Sequence, residues 1–128
     1  MRKTASESEH AIETYRSLIQ LGTFAMKFVL VVNGGAVIAL LAYLGNIAGA
    51  GASAPNLKCP MALFILGVIL GGASTCTTYL TQLALYNEDI GDIEPRSHIK
   101  WLRASLLLVL ASLISFAVGS LVAVARFS

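Results

Sequence analysis

The stretch from Phe28 to Gly45, FVLVVNGGAVIALLAYLG, runs for eighteen residues without a formal charge. As a helix it covers about 27 Å, close to the roughly 30 Å hydrocarbon core of a bilayer. No water in that core can satisfy a peptide group, so a spanning segment has to close every backbone hydrogen bond within itself. This run therefore reads as a transmembrane helix. Met61 to Tyr86 follows with twenty-six uncharged residues, long enough to span with tilt. A third apolar body extends from Leu102 to Phe127, with Arg103 and Arg126 near its two ends. Only 12% of the chain is charged, against about 25% for a soluble domain. The fold class expected is an all-α integral membrane protein with three transmembrane helices and an N-terminal amphipathic helical extension.

Residues 6–26 form that extension. Ser6 and Glu9 have the spacing of a capping box, and no apolar core follows Arg2 and Lys3 at signal-peptide distance. Ile12, Tyr15, Leu18, Ile19, Gly22 and Met26 recur at helical spacing, with Glu13, Arg16 and Gln20 on the other face. The absence of proline favours one helix running into span 1 (27–46); a surface-lying helix hinged at Gly22 is the rival geometry. Lys27 stands at the mouth of the span, where its stem can snorkel to the interface. Residues 47–60, rich in glycine, alanine and proline, read as a periplasmic loop, and Pro60 suits the first turn of span 2 (61–86). Residues 87–98 gather Glu88, Asp89, Asp92 and Glu94 with Gly91 and Pro95, a cytoplasmic connection able to dock a soluble partner. Ser97 is the expected cap of span 3 (99–127), and Trp101, Arg103 and Arg126 are its interface anchors.

Three spans place the N-terminus and the second loop on one side. Arg2, Lys3, Arg16, Lys27, Arg96, Lys100 and Arg103 fall there, seven of the nine basic residues, leaving Lys58 and Arg126 opposite. The positive-inside rule makes the richer side cytoplasmic, with the C-terminus periplasmic in a bacterial inner membrane.

No catalytic arrangement emerges, and no cofactor is expected. His10 and His98 are far apart in sequence and lie outside the apolar runs, so neither a metal site nor a buried haem ligand is indicated. Serines and threonines lack a nearby base and read as packing residues. Cys59 and Cys76, seventeen residues apart, cannot pair if one helix joins them. Cys76 reads as a small apolar filler, and a link between two subunits through Cys59 has only its loop-edge position in its favour. Basic residues with interleaved aromatics are absent, so nucleic acid is not an expected partner.

The informative residues are small and weakly polar. Gly67, Gly71, Thr75, Thr78 and Gln82 recur at helical offsets along span 2, and Ser105, Ser112, Ser115 and Gly119 along span 3. Such stripes let backbones approach where no hydrophobic effect operates between helices, and hydroxyls add about 0.6–2 kcal/mol each. Packing within one bundle, contact between subunits and a wetted pore are the three readings; the lack of ionisable groups on the stripes disfavours the pore. Counting inward from Lys27 sets Asn33 level with Thr78 to Gln82 and with the span-3 serines. Asn33 is expected to bond to Thr78 or to one of those serines, with Gly34 and Gly35 permitting the approach.

The segment Leu30 to Asn46, in which asparagine and two glycines precede Ala-x-x-Ala-Leu-Leu-Ala and Leu-Gly-Asn, resembles the first span of small bacterial inner-membrane proteins of no assigned activity. Tyr15 to Ile19 and Thr78 to Gln82 share the resemblance. It implies a bacterial source and this span layout, and it transfers no functional residue. The expected function is therefore non-enzymatic: a homo-oligomer, or a subunit or adaptor of a membrane complex, acting through helix packing. A membrane-permeabilising pore of holin or defence-effector type is the alternative, although three-span holins usually place the N-terminus outside. A small transporter component comes second, weakened by the lack of intramembrane carboxylates.

Overall fold

A computed structural model describes residues 5–51, 53, 55–91 and 94–127, with side chains described between Glu9 and Arg126. The described residues form three helices and no strand: α1 (Ala5–Gly49), α2 (Lys58–Asp89) and α3 (His98–Phe127). Each is long and apolar enough to cross a membrane. The outward faces carry Val31, Ile38, Ile69, Leu107, Ile114 and Leu121, all exposed. Leaving such side chains in water forgoes roughly 1.5–3 kcal/mol apiece, whereas lipid accepts them. The chain is an all-α, three-span membrane protein.

α1 is a single helix of 45 residues, about 68 Å long, and it passes through Gly22 without a break. It already includes Ala5, so the Ser6 backbone is helical rather than capping; its side chain lies outside the described ones. The helices also extend beyond the apolar runs into the connections. α1 continues past Asn46 to Gly49, and α2 begins at Lys58, with Pro60 still in the first turn where no N–H is needed. At its far end α2 extends beyond Tyr86 to Asp89 and closes at Gly91, whose φ of +81° is the left-handed conformation that ends helices.

The N-terminus of α3 is held in a way that the expected Ser97 cap does not describe. Glu88, at the end of α2, accepts hydrogen bonds from the backbone N–H groups of Arg96 (3.0 Å) and His98 (2.8 Å), and from the Ser97 hydroxyl (3.2 Å). The His98 ring lies against the same carboxylate at 2.9 Å. Ser97 therefore spends its hydroxyl on Glu88, and the carboxylate of α2 supplies the anion that a helix N-terminus favours. Arg96 adopts φ +71°, a strained conformation for a side-chain-bearing residue that this clamp holds in place.

α2 and α3 pack as an antiparallel pair, and α1 lies across them, with more contact to α2 than to α3. At the end nearest the α1–α2 loop the core is apolar. Leu40, Leu57 and Phe64 are buried together with Ala36, Val37, Leu44, Met61 and Phe116 around them. The rings of Phe64 and Phe116 meet at 5.7 Å. Gly119 makes room for Phe64, since a Cβ there would lie 3.0 Å from the ring. Further along the bundle the core changes from hydrocarbon to hydroxyl and amide groups.

Glu88 stands beyond the apolar run that ends at Tyr86. Desolvation raises its pKa, but the N–H and ring of His98 and the N–H of Arg96 outweigh that and bring it from 4.5 to about 2. A depressed carboxylate contributes stability above its unfolded pKa and loses it as the pH falls through the folded value. The melting temperature of the detergent-solubilised protein should therefore fall as the pH is lowered from the ordinary carboxylate range toward about 2. Glu88→Gln should melt lower at neutral pH and show a flatter acid limb; equal acid limbs for the two chains would refute the clamp's role.

Candidate functional site: a polar layer between the helices

α2 buries Pro60, Phe64, Gly67, Gly71, Ser74, Thr81 and Ala84, with Thr78 half-buried between them. From Pro60 to Thr81 the steps alternate between four and three, a period of 3.5. α3 buries Ser105, Ser112, Ser115, Gly119 and Ala123 on nearly the same period. A 3.5-residue spacing keeps two helices in continuous contact when they wind about each other with a left-handed twist. Small residues on α3 let these two backbones close up, and the α2 glycines Gly67 and Gly71 do the same for α1, facing Asn33, Val29 and Leu30.

That closeness is what the serines of α3 exploit. Ser112 donates to the Gly67 carbonyl at 2.7 Å, Ser115 to the Leu63 carbonyl at 2.6 Å and Ser105 to the Ser74 carbonyl at 3.3 Å. Those carbonyls sit in an intact helix, so each uses its second lone pair. The hydroxyls of Ser105 and Thr78 also share a hydrogen bond of 2.8 Å, and Thr78 reaches the Met26 sulfur at 3.6 Å. Ser74 and Thr81 return their hydroxyls to the α2 backbone at Gly71 and Thr77.

Asn33 brings α1 into the layer. Its side chain is fully buried, and its amide donates to the Val29 carbonyl (2.9 Å) and the Ser112 hydroxyl (3.2 Å), with the Ser112 carbonyl at 3.4 Å. The carboxamide lies directly against the Gly67 backbone, where an added Cβ would overlap it. Its Oδ1 has no hydrogen-bond partner. A buried carbonyl oxygen without a donor is costly, so the amide's net contribution to stability is small. A single buried asparagine of this kind instead sets register, because any slip would strand its N–H groups in hydrocarbon.

The expected residues divide into two groups. Asn33, Gly67, Gly71, Thr78, Ser105, Ser112, Ser115 and Gly119 all enter the interhelical contacts, and Asn33 bonds to the span-3 serine Ser112. Thr75 and Gln82 do not enter, being exposed. The expected spacing of four, four, three and four drifts around the helix, and each lies one residue, about 100°, beyond the buried Ser74 and Thr81. The period of 3.5 visible in the span-3 serines would have found those two. Gly34 and Gly35 are likewise not the residues that permit the approach. A Cβ on either would meet nothing within 4 Å, and the close-approach glycine is Gly67 on the facing helix.

The depth of the layer also differs. Asn33 is level with Gly67 and Ser112, whereas Met26 is level with Thr78. Counting from Lys27 fails because that residue is not at the rim. It is exposed beside the Met26–Thr78 contact, about 6 Å deeper along α3 than Trp101, a distance its stem can snorkel. Trp101 is half-buried with the Lys100 ammonium 5.7 Å from its ring centroid, Arg103 is exposed, and Arg126 occupies the last turn of α3, where a cation suits the helix dipole.

Among the described residues no three His, Cys, Asp or Glu side chains gather into a metal-binding group. His10 is exposed and His98 is held by Glu88. Cys59 and Cys76 are free, exposed and on one helix. Asp92 lies outside the described residues. Comparison of the chain with protein-family models, curated proteins and solved structures finds no match.

Two outcomes test this layer. Gly67→Ala should destabilise the solubilised protein by about 1–3 kcal/mol in denaturant titration, because the Asn33 amide must leave Ser112 to make room. Adding Asn33→Ala should recover more than half of that loss; additive effects would mean that the two residues do not meet. Asn33→Leu should loosen register more than stability. With both native cysteines replaced by serine, a Met26→Cys, Thr78→Cys pair should cross-link efficiently, and Asn33→Leu should lower that yield in favour of pairs made at Thr75 or Gln82. An unchanged yield would contradict the register role.

Proposed function

We propose that this protein is a non-enzymatic subunit of an assembly in a bacterial cytoplasmic membrane, acting as a homo-oligomer or as an adaptor for another membrane protein, with α1 as its docking element. One observation carries the reading. From Glu9 to Leu21 every residue of α1 is exposed, although Ile12, Tyr15, Leu18 and Ile19 lie along one side of the helix. Ile12, Tyr15, Ile19 and Gly22 continue, at steps of three and four, the line that is interhelical at Met26, Val29 and Asn33. Beyond the Met26–Thr78 contact, α2 continues for only eleven residues while α1 continues for twenty-one. α1 thus overhangs by about 15 Å, and its apolar edge is exposed among the described residues.

The charge distribution supports placing this arm in the cytosol, and the first-span resemblance supports a bacterial source. The complete burial of Asn33, Ser74 and Ser112 favours a packed scaffold over a conduit through one chain. Chemical cross-linking in native membranes should trap species larger than the monomer. Ile12→Glu with Ile19→Glu should abolish them while leaving helix content and melting unchanged, since both side chains are exposed. Persistence of those species, or rapid depolarisation of membrane potential on induced expression, would overturn the proposal.

A further inference from the structure

At the α2–α3 end of the bundle an open-sided groove of about 270 Å³ lies between the two helices. Its floor is Leu80, Leu83 and Ala84, its wall is the Trp101 ring, and its rim holds Asn87 and Lys100. The two ends of the groove differ in chemistry. From residue 80 to residue 87, about 10 Å along α2, the lining passes from aliphatic carbon to an amide and an ammonium group. The axis of that gradient is the axis of a membrane-spanning helix, so it parallels the bilayer normal, and Trp101 marks the depth at which hydrocarbon gives way to headgroups.

Charge selects the occupant further. Lys100 makes no ion pair with a described residue, and its ammonium rests over the Trp101 ring. Arg103 is its neighbour three residues along α3 and is exposed. Glu88, at the end of α2, already receives hydrogen bonds from Arg96, Ser97 and His98 and so competes weakly for the rim cation. A free phosphate would leave the aliphatic floor bare, and an acyl chain alone would leave the rim donors unused. An amphiphile with an anionic, acceptor-rich head satisfies both.

We propose that this groove is a binding site for an anionic phospholipid, with its phosphodiester at Lys100 and Asn87 and its first acyl methylenes on Leu80, Leu83 and Trp101. The assignment is independent of the arm described above and of which leaflet the groove faces. The chain contains a single tryptophan, and it is this wall. Quenching of its fluorescence by phospholipids brominated near the headgroup therefore reports occupancy of the groove.

The full-length protein is reconstituted in phosphatidylcholine vesicles containing a minor fraction of brominated phosphatidylglycerol or, separately, brominated phosphatidylcholine. The expected result is about fivefold preferential quenching by the anionic lipid, the size that one surface cation provides. Lys100→Ala should bring the preference close to unity, while Arg126→Ala, at the other end of α3, should leave it unchanged. Lys100 is exposed, so helix content and melting of the variant should match the wild type. Equal quenching by the two lipids in the wild type would overturn the assignment. So would loss of the preference on adding inorganic phosphate, which would make the ligand a free anion. Quenching that falls as the protein-to-lipid ratio rises would also overturn it, by showing that a second copy covers the groove.

Discussion

Three serine hydroxyls on α3 reach between the side chains of α2 and bond to its backbone carbonyls, and the rest of the bundle depends on that reach. In a bilayer apolar side chains gain nothing by leaving lipid for one another, so helices associate through close packing and polar contacts. A serine can touch a neighbouring backbone only when the two helices approach closely. Gly119 and the serines themselves on α3 meet that condition along one continuous seam, whereas Gly67 and Gly71 on α2 open toward Asn33, Val29 and Leu30 of α1. The bonds to Leu63, Gly67 and Ser74 then fix which turn of α3 faces which turn of α2.

α1 joins this pair by a different means. It contributes apolar side chains at Val29, Leu30 and Leu40 and one amide at Asn33. The amide is poorly compensated on its oxygen and well compensated on its nitrogen, an imbalance that penalises displacement more than it rewards binding. Gly67 therefore does two jobs, leaving space for the carboxamide and offering its carbonyl to Ser112. The two ends of the bundle are correspondingly unlike. One is closed by aliphatic and phenylalanine side chains, and the other by a carboxylate clamp, a tryptophan and cations.

Much of this is legible in the amino-acid sequence. Spans are dictated by the absence of charge over eighteen or more residues, because hydrocarbon forbids the alternatives. The polar face of α3 was equally plain, since serines stand out in a run of leucine and valine. On α2 the surplus of small and hydroxyl residues concealed the stripe. Gly67, Gly71 and Thr78 fit more than one helical period, and it is the 3.5-residue period carried by the α3 serines that selects Ser74 and Thr81 over Thr75 and Gln82. Glu88 was visible as one acid among several in a connecting loop; its role as the anchor of α3 requires a fold that returns His98 to its side.

By itself the amino-acid sequence determined that this chain crosses a membrane three times as helices, because each apolar run leaves its backbone no other way to satisfy itself. It also determined that polar residues would recur along the spans at helical spacing. Tertiary structure alone decided which of them meet, because facing depends on how the helices cross and slide and not on spacing within one of them. A relative slide of α1 of about 10 Å, the seven residues from Met26 to Asn33, separates the level expected for Asn33, beside Thr78, from the level at which it lies, beside Gly67 and Ser112. That slide is set by contacts among three helices, and no single helix encodes it.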